Sequence, residues 1–154
     1  MNALGQLLTP DDILVDVEAG DRPALLLRAA ELLAQRHGVV ASSIAEALSA
    51  RERLGSTALG HGIALPHARI AGLPQPYAGF LRTRAGIPFD ASDARPVSQF
   101  LTLVVPAQAT ERHLQLLACA ATMFSERSFR DALRAALTPA DIAAIFATWS
   151  PEGA

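Results

Sequence analysis

Lysine is absent from this 154-residue sequence, and all 13 of its basic residues are arginines, against 15 acidic residues. The absence argues against a phosphate-binding P-loop, whose last glycine is followed by lysine and then serine or threonine. The formal net charge of −2 argues against an overall nucleic-acid-binding surface. A single cysteine, Cys119, excludes an intramolecular disulfide, and its apolar neighbours predict a buried small side chain rather than a reactive thiol.

Long apolar runs are also absent. None approaches the roughly 20 residues needed to span a bilayer, and the N-terminal residues lack the basic and long apolar regions of a signal peptide. We therefore expect a cytoplasmic protein without membrane insertion. The chain has 51% hydrophobic and 18% charged residues, which is typical of a folded protein. Its length predicts a single domain over residues 1–154.

Hydrophobic periodicity and turn residues predict a strand, two helices, a glycine-rich loop, several strands and three helices, in that order. Strands are predicted at 13–19, 77–84 and 98–105, with a short extended piece at 63–65. The 98–105 segment is continuously apolar, which is typical of a buried central strand. Helices are predicted at 22–37, 44–54 and 126–137, and from 111 and 139 onwards. This order predicts an α/β domain with a sheet covered by helices.

Helix ends are marked by polar residues and glycine. The predicted N-caps are Asp21, Thr110, Ser125 and Thr138, and a capping box is predicted for Ser43 with Glu46. Gly38 is predicted to end the first helix in a left-handed conformation. His37 precedes it, in the last turn, where a cation would favour the helix dipole.

The segment GSTALGHGIALPHARI, residues 55–70, has four competing interpretations. A P-loop lacks its lysine, a metal site of His61, His67 and His113 lacks a common ligand spacing, and a Ser56 nucleophile lacks the Gly-x-Ser-x-Gly elbow. The fourth is a histidine that itself accepts a group. A neutral imidazole is nucleophilic near pH 7 when one nitrogen is free and the other is held by an acceptor such as a backbone carbonyl. Pro66 would stiffen the chain just before His67.

If the accepted group is phosphoryl, positive charge and hydrogen-bond donors should surround it. Arg51 and Arg53 at the end of the second helix, the hydroxyls of Ser56 and Thr57, and His113 in the first turn after Thr110 are the candidates. Each also has a structural alternative. Arg51 and Arg53 are also explained as a solvated helix end, Arg53 more readily than Arg51. The two hydroxyls are also explained as turn residues, and His113 as an exposed first-turn residue.

Two stretches carry a family resemblance. RERLGSTALGHGIALPHARI (51–70) and LTLVVPAQATERHLQLL (101–117) resemble the two signatures of phosphotransferase-system (PTS) IIA domains of the fructose/mannitol type. The stretch PFDASDARPVSQFLTLVVP and the lone-domain length are most similar to the nitrogen-regulatory branch of that family. The resemblance implies a mixed central sheet covered by helices, with the domain core at about 10–149.

The resemblance also implies a function and its residues. His67 would be phosphorylated, on Nε2, by an HPr-like phosphocarrier. Arg51 and His113 would stabilise the phosphoryl group, with Thr57 and Ser56 in support and without metal or cofactor. The phosphorylation state would then regulate target proteins, with kinases and potassium transport proteins as candidates. Two alternatives stay open: a sugar-uptake IIA component that passes phosphate to a IIB domain, and a binding module that is not phosphorylated.

Three further positions complete these expectations. His61 stands where asparagine is usual in the branch, and Ala68 where glycine is frequent. His61 would add a titratable group near the acceptor, and we expect neither departure to change its function. Arg69, two residues after His67, is expected at the rim of the carrier's docking surface.

Overall fold

A computed structural model describes residues 2–151. Within them the chain forms one mixed sheet with helices on both faces, as the sequence and the family resemblance predict. The strands are β1 (Ile13–Val17), β2 (Ala58–Gly60), β3 (Ile63–Ala64), β4 (His67–Ile70), β5 (Tyr77–Ile87) and β6 (Val97–Pro106). The helices are α1 (Arg22–His37), α2 (Ala41–Leu54), α3 (Glu111–Ser125), α4 (Arg127–Ala135) and α5 (Pro139–Thr148).

Strand β6 lies at the centre of the sheet, as its continuous apolar sequence predicts. It pairs antiparallel with β5 on one side and parallel with both β3 and β4 on the other. Strand β1 extends the sheet parallel to β5, and β2 pairs antiparallel with β3. Because successive side chains of a strand point to opposite faces, β6 contributes to two cores.

The two cores differ in what covers them. Leu101, Leu103 and Val105 of β6 belong to the core under α3, α4 and α5, where four phenylalanine rings meet edge to face. Phe100 and Val104 belong to the core under α1 and α2. The protein therefore has three layers with the sheet in the middle. Within residues 2–151, no helix combines the length and apolar character required to cross a bilayer.

The glycine-rich segment contains more strand than predicted. Instead of one extended piece at 63–65, it contains β2, β3 and β4, and His67 begins a strand rather than occupying a turn. Strands β3 and β4 pair with β6 in one uninterrupted register, although Leu65 and Pro66 between them are not in strand conformation. Proline has no N–H to donate, so one bond of the ladder is missing immediately before His67. The Pro66 carbonyl oxygen still accepts from the N–H of Leu103 in β6 at 3.0 Å.

Three predicted helix caps are confirmed. The side chains of Asp21, Thr110 and Thr138 each accept a hydrogen bond from the backbone N–H three residues later. Gly38 ends α1 with a φ of 73°, in the left-handed region. These caps set where α1, α3 and α5 begin and where α1 ends.

Two other predicted caps are wrong. Helix α2 begins at Ala41, because the chain reverses within residues 38–40, and Ser43 and Glu46 therefore lie inside the helix. Ser125 is the last residue of α3, and its hydroxyl donates to a carbonyl three residues earlier. Helix α4 follows after Glu126, whose side chain makes no capping hydrogen bond.

His37 is not the cation that its position suggests. Its ring stacks on Tyr77, with the ring centroids 3.9 Å apart. Its Nε2 lies 3.7 Å from the buried carboxylate of Asp12, which already accepts a 2.8 Å hydrogen bond from Arg36 Nε. Burial lowers the pKa of His37 more than the nearby Asp12 raises it. The ring is therefore mainly neutral at pH 7, because burial, together with the nearby charge of Arg36, outweighs the attraction of Asp12.

This lowered pKa predicts a pH dependence of stability. As the pH falls through about 6.5, the unfolded chain takes up the proton that folded His37 refuses, so the free energy of unfolding should decrease. His37→Gln should flatten the slope between about pH 7.5 and 5.5, measured by urea denaturation at several pH values. An unchanged slope in His37→Gln would contradict the assignment.

Candidate functional site

His67 is held by a carbonyl two residues earlier. Its Nδ1 lies 2.8 Å from the backbone oxygen of Leu65. A carbonyl oxygen only accepts hydrogen bonds, so Nδ1 carries the proton in the neutral ring and Nε2 carries the lone pair. The side chain is partly exposed at the start of β4. This is the arrangement that a nucleophilic imidazole needs: one nitrogen fixed and the other free.

An open pocket of about 500 Å³ lies next to His67, between the last turns of α2 and the first turns of α3. Its walls are mostly apolar, with Leu54 of α2 and Leu114 of α3 on opposite sides. Arg51, His67 and Arg69 also line it. The structure thus brings together Arg51 and His67, which are far apart in sequence, and places Arg69 with them.

Arg51 is anchored near the end of α2. One of its terminal nitrogens, Nη1, donates a 2.8 Å hydrogen bond to the carbonyl oxygen of Gly55. The guanidinium has five N–H donors, so this bond leaves others for an anion in the pocket. The same bond satisfies a carbonyl near the helix C-terminus, where a cation is stabilised by the helix dipole. Arg51 therefore combines the structural role considered from the sequence with access to the pocket.

His113 lies in the first turn of α3, beside the pocket rather than in its wall. The backbone N–H of Thr110 donates to His113 Nδ1 at 3.3 Å, and the N–H of His113 points back to the Thr110 hydroxyl. Because Nδ1 accepts a hydrogen bond, the neutral ring carries its proton on Nε2. His113 is thus a donor at Nε2, and its neighbour Leu114 lines the pocket.

The hydroxyls of Ser56 and Thr57 are used inside the protein. Ser56 donates to the carbonyl oxygen of Phe89, and Thr57 donates to the carboxylate of Glu52. Thr57 and Glu52 are both only 5% exposed. Glu52 is not among the site residues predicted from the sequence, although it follows Arg51 in the motif. The contacts favour a role in holding the loop over direct contact with a bound group.

His61 lies away from His67. It occupies a left-handed turn between β2 and β3, with a φ of 58°, and its N–H donates to Asp93 at 2.9 Å. From the register along β6, Ile63 and His67 are separated by about 13 Å, and His61 lies before Ile63. The expectation of a titratable group near His67 is therefore wrong. Among residues 2–151, no three His, Cys, Asp or Glu side chains are grouped as a metal site.

Comparison with known proteins assigns the family. Residues 6–149 match the model of the family described as "Phosphoenolpyruvate-dependent sugar phosphotransferase system, EIIA 2". The chain belongs to this EIIA family. It is 43% identical over 139 residues to the "Nitrogen regulatory protein" of Pseudomonas aeruginosa, and the match covers 90% of each chain.

Two solved structures of the family resemble the protein. The nitrogen regulatory protein IIA-Ntr from Neisseria meningitidis superposes with a TM-score of 0.88 at 39% identity, over 94% of this chain and 99% of that one. The IIA mannitol protein from Escherichia coli superposes with a TM-score of 0.74 at 17% identity, over 90% and 98% of the two chains. The second likeness, at low identity, shows that the fold is shared. This EIIA chain therefore has the fold of the fructose/mannitol type.

The site geometry predicts opposite tautomers for two histidines. In neutral His67 the ring proton should reside on Nδ1, and in neutral His113 on Nε2, because their partners are a carbonyl and an N–H respectively. Long-range ¹H–¹⁵N correlation spectra of the imidazoles at alkaline pH measure this directly. His67→Ala and His113→Ala assign the signals. A His67 ring with its proton mainly on Nε2 would contradict the hydrogen bond to Leu65.

Proposed function

We propose that this EIIA chain is the phosphoryl-accepting regulator of a nitrogen phosphotransferase system. An HPr-like phosphocarrier transfers a phosphoryl group to Nε2 of His67, and the phosphorylation state then controls binding to target proteins. The observation that carries the proposal is the hydrogen bond from His67 Nδ1 to the Leu65 carbonyl, which leaves the Nε2 lone pair free at a pocket that Arg51 also lines. The nitrogen regulatory relatives support the regulatory part.

The transfer step is a displacement at phosphorus. Nε2 of His67 attacks in line, a P–N bond to Nε2 forms, and the P–N bond to the carrier's histidine breaks with its electron pair remaining on the carrier's nitrogen. The Nδ1 proton stays in its hydrogen bond to the Leu65 oxygen, so no proton leaves His67. The phosphoryl group needs little covalent assistance, and catalysis comes mainly from positioning and charge complementarity.

Arg51 and His113 supply that complementarity. The free N–H groups of the Arg51 guanidinium bind phosphoryl oxygens, and arginine is suited to this because it presents planar, paired donors. His113 donates from Nε2 to a further oxygen, next to the positive end of the α3 dipole. Ser56 and Thr57 support the site by holding the loop before His67, since their hydroxyls are bonded to the protein.

The apolar surface around the pocket is suited to a docking carrier. Leu54 is 85% exposed and Leu114 is 41% exposed, on opposite sides of the pocket. Covering these side chains with the carrier removes apolar area from water and excludes water from the phosphoryl group. Arg69 contributes positive charge to the same surface.

Regulation follows from the charge that phosphorylation introduces. A phosphoryl group adds about −1.5 to −2 elementary charges in the middle of this apolar and arginine-lined surface. A target that binds the apolar surface of the free form would be repelled by the phosphorylated form, and a target with its own cationic site would prefer it. Kinases and potassium transport proteins are the target classes to test.

Phosphorylation itself is tested by intact mass. Incubation with phosphoenolpyruvate, enzyme I and an HPr-type carrier should add one phosphoryl group to the wild type and none to His67→Ala. Circular dichroism of His67→Ala verifies that it is folded. If the wild type gains no phosphoryl group, the non-phosphorylated binding module becomes the better description. Rapid onward transfer to an added sugar-specific IIB protein would instead favour the sugar-uptake component.

The role of Arg51 has a matched control two residues further along α2. Arg51→Ala should slow phosphorylation about a hundredfold, by loss of a charged donor to the transferring group. Arg53→Ala removes the same charge from the same helix end, but Arg53 lines a different cleft with Arg22 and Asp90, so its rate should stay near that of the wild type. Quench-flow measurement of phosphoryl transfer from the charged carrier compares the two. Equal rates in both variants would contradict a specific role for Arg51.

His113 is tested in the same assay. His113→Ala should slow transfer about tenfold, which is the effect of losing one hydrogen bond to a charged group. Its thermal unfolding should change little, because the Thr110 hydroxyl still caps α3. Wild-type transfer kinetics in the variant would reduce His113 to a helix-start residue.

A further inference from the structure

We propose that Glu52 and Thr57 are positioning residues for His67: they fix the Leu65 carbonyl and thereby the orientation and tautomer of the acceptor imidazole. The kinetic part of this inference rests on the proposed phosphorylation of His67. Neither residue contacts the pocket beside His67 through its side chain; both act through the backbone between them and the acceptor.

The first link is a buried carboxylate. Glu52 accepts from the hydroxyl of Thr57 with Oε1 and from its backbone N–H, at 3.2 Å, with Oε2. Both carboxylate oxygens are therefore committed to one residue. A buried charge that is paired and hydrogen-bonded in this way resists displacement, since losing a partner leaves it unsatisfied. Arg22, whose Nη1 lies 4.0 Å from Oε2, supplies the nearest positive charge.

The second link continues through the backbone. The carbonyl oxygen of Thr57 accepts from the N–H of Leu65 at 3.0 Å, and the carbonyl oxygen of Leu65 accepts from His67 Nδ1 at 2.8 Å. Hydrogen bonds therefore run without a gap from Glu52 through Thr57 and Leu65 to the imidazole. Both polar backbone groups of Leu65 are used in this connection.

Leu65 and Pro66, which lie between β3 and β4, depend on the hydrogen bond to Thr57 for their conformation. These two residues are outside strand conformation, although the segments before and after them pair with β6. The N–H of Leu65 points away from β6 and donates to the carbonyl oxygen of Thr57. If Thr57 moved, the N–H of Leu65 would lose its acceptor, the backbone dihedrals of Leu65 could change, and its carbonyl would release Nδ1. The imidazole could then carry its proton on Nε2, where a protonated nitrogen has no lone pair to attack phosphorus.

The end of α2 thus positions both the cation and the nucleophile of the proposed reaction. Arg51 and Glu52 are consecutive, so their side chains leave the helix about 100° apart. Arg51 enters the pocket with His67, while Glu52 reaches the loop that leads to His67. A single rigid helix end sets the position of the cation and of the nucleophile, which favours a fixed distance between them.

A second threonine–carboxylate pair, Thr9 with Asp12, serves as a control for effects on stability alone. Thr9 donates to the buried carboxylate of Asp12 with its hydroxyl and with its backbone N–H, both at 2.9 Å. Arg36 pairs with that carboxylate as Arg22 approaches Glu52. This second threonine–carboxylate pair lies beside the end of α1 and has no connection to the Leu65 carbonyl.

Thr57→Val and Thr9→Val are the matched pair for the experiment. Both remove one hydroxyl donor to a buried carboxylate, and urea unfolding measures the stability of each so that transfer is compared where both variants are folded. Only Thr57→Val should lower kcat for phosphorylation by the charged HPr-type carrier, about tenfold to a hundredfold, with an unchanged KM because the docking surface is intact. Only Thr57→Val should show His67 with part of its ring proton on Nε2 in ¹H–¹⁵N spectra.

Substitution of Glu52 provides the conservative rescue. Glu52→Ala should reduce kcat more than Thr57→Val, since it removes both contacts. Glu52→Gln should recover part of the loss, because the amide oxygen can accept from the Thr57 N–H and the amide nitrogen can donate to its hydroxyl. If Glu52→Ala does not fold, the positioning role is tested by the comparison of Thr57→Val with Thr9→Val alone.

The inference is overturned if Thr57→Val keeps the wild-type kcat and the Nδ1–H tautomer of His67. It is also overturned if Thr9→Val reduces kcat as much as Thr57→Val at equal stability. Failure of the proposed function is a separate result: the wild type would then gain no phosphoryl group. The tautomer comparison on unphosphorylated protein would still support or overturn the positioning role of Thr57.

Discussion

The pairing of β6 with two successive edge segments is the constraint on which the site depends. Strands β3 and β4 follow one register along β6, so the chain cannot slip between Ile63 and His67 without losing both ladders. Pro66 removes one N–H from the pairing without shifting the register. The carbonyl oxygen of Leu65, just before it, accepts from Nδ1 of His67. The side chains of β6 pack into the two cores, one on each face of the sheet, and this packing also fixes the register.

Apolar burial and buried hydrogen bonds have different effects in this protein: the first stabilises the layers, and the second orients the imidazole of His67. The three layers are stabilised by two cores of aliphatic and aromatic side chains, which set the relative positions of α2, α3 and the sheet. These positions alone would leave the imidazole free to rotate. The buried Glu52–Thr57 pair and the backbone bonds that follow it remove that freedom at the cost of burying a charge. Under the proposed function, that cost is balanced by a nucleophile already oriented before the carrier arrives.

The long elements could be predicted from sequence, and the short ones could not. Helices α1 and α3 and strand β6 repeat their apolar pattern often enough to be recognised, and their caps are local. Strands β2, β3 and β4 have two to four residues each, too few for a period, and are defined by pairing with distant residues. Arg51 and His67 are predicted from their residue chemistry and from the motif resemblance. Glu52 was overlooked because an acidic residue between two arginines is typical of a solvated helix end, and only the returning loop buries it.

Three histidines show that the neighbouring group of an imidazole determines which of its nitrogens carries a proton. His37 loses its affinity for a proton because it is stacked and buried. His67 faces a carbonyl and is left with a lone pair on Nε2, while His113 faces an N–H and is left with a donor on Nε2. Under the proposed function the last two are complementary: His67 attacks phosphorus while His113 donates to an oxygen of the same group, with no competition for a single proton. Such a site needs no proton transfer when the phosphoryl group arrives, so its rate depends on how well the imidazole of His67 and the cation of Arg51 are positioned beforehand.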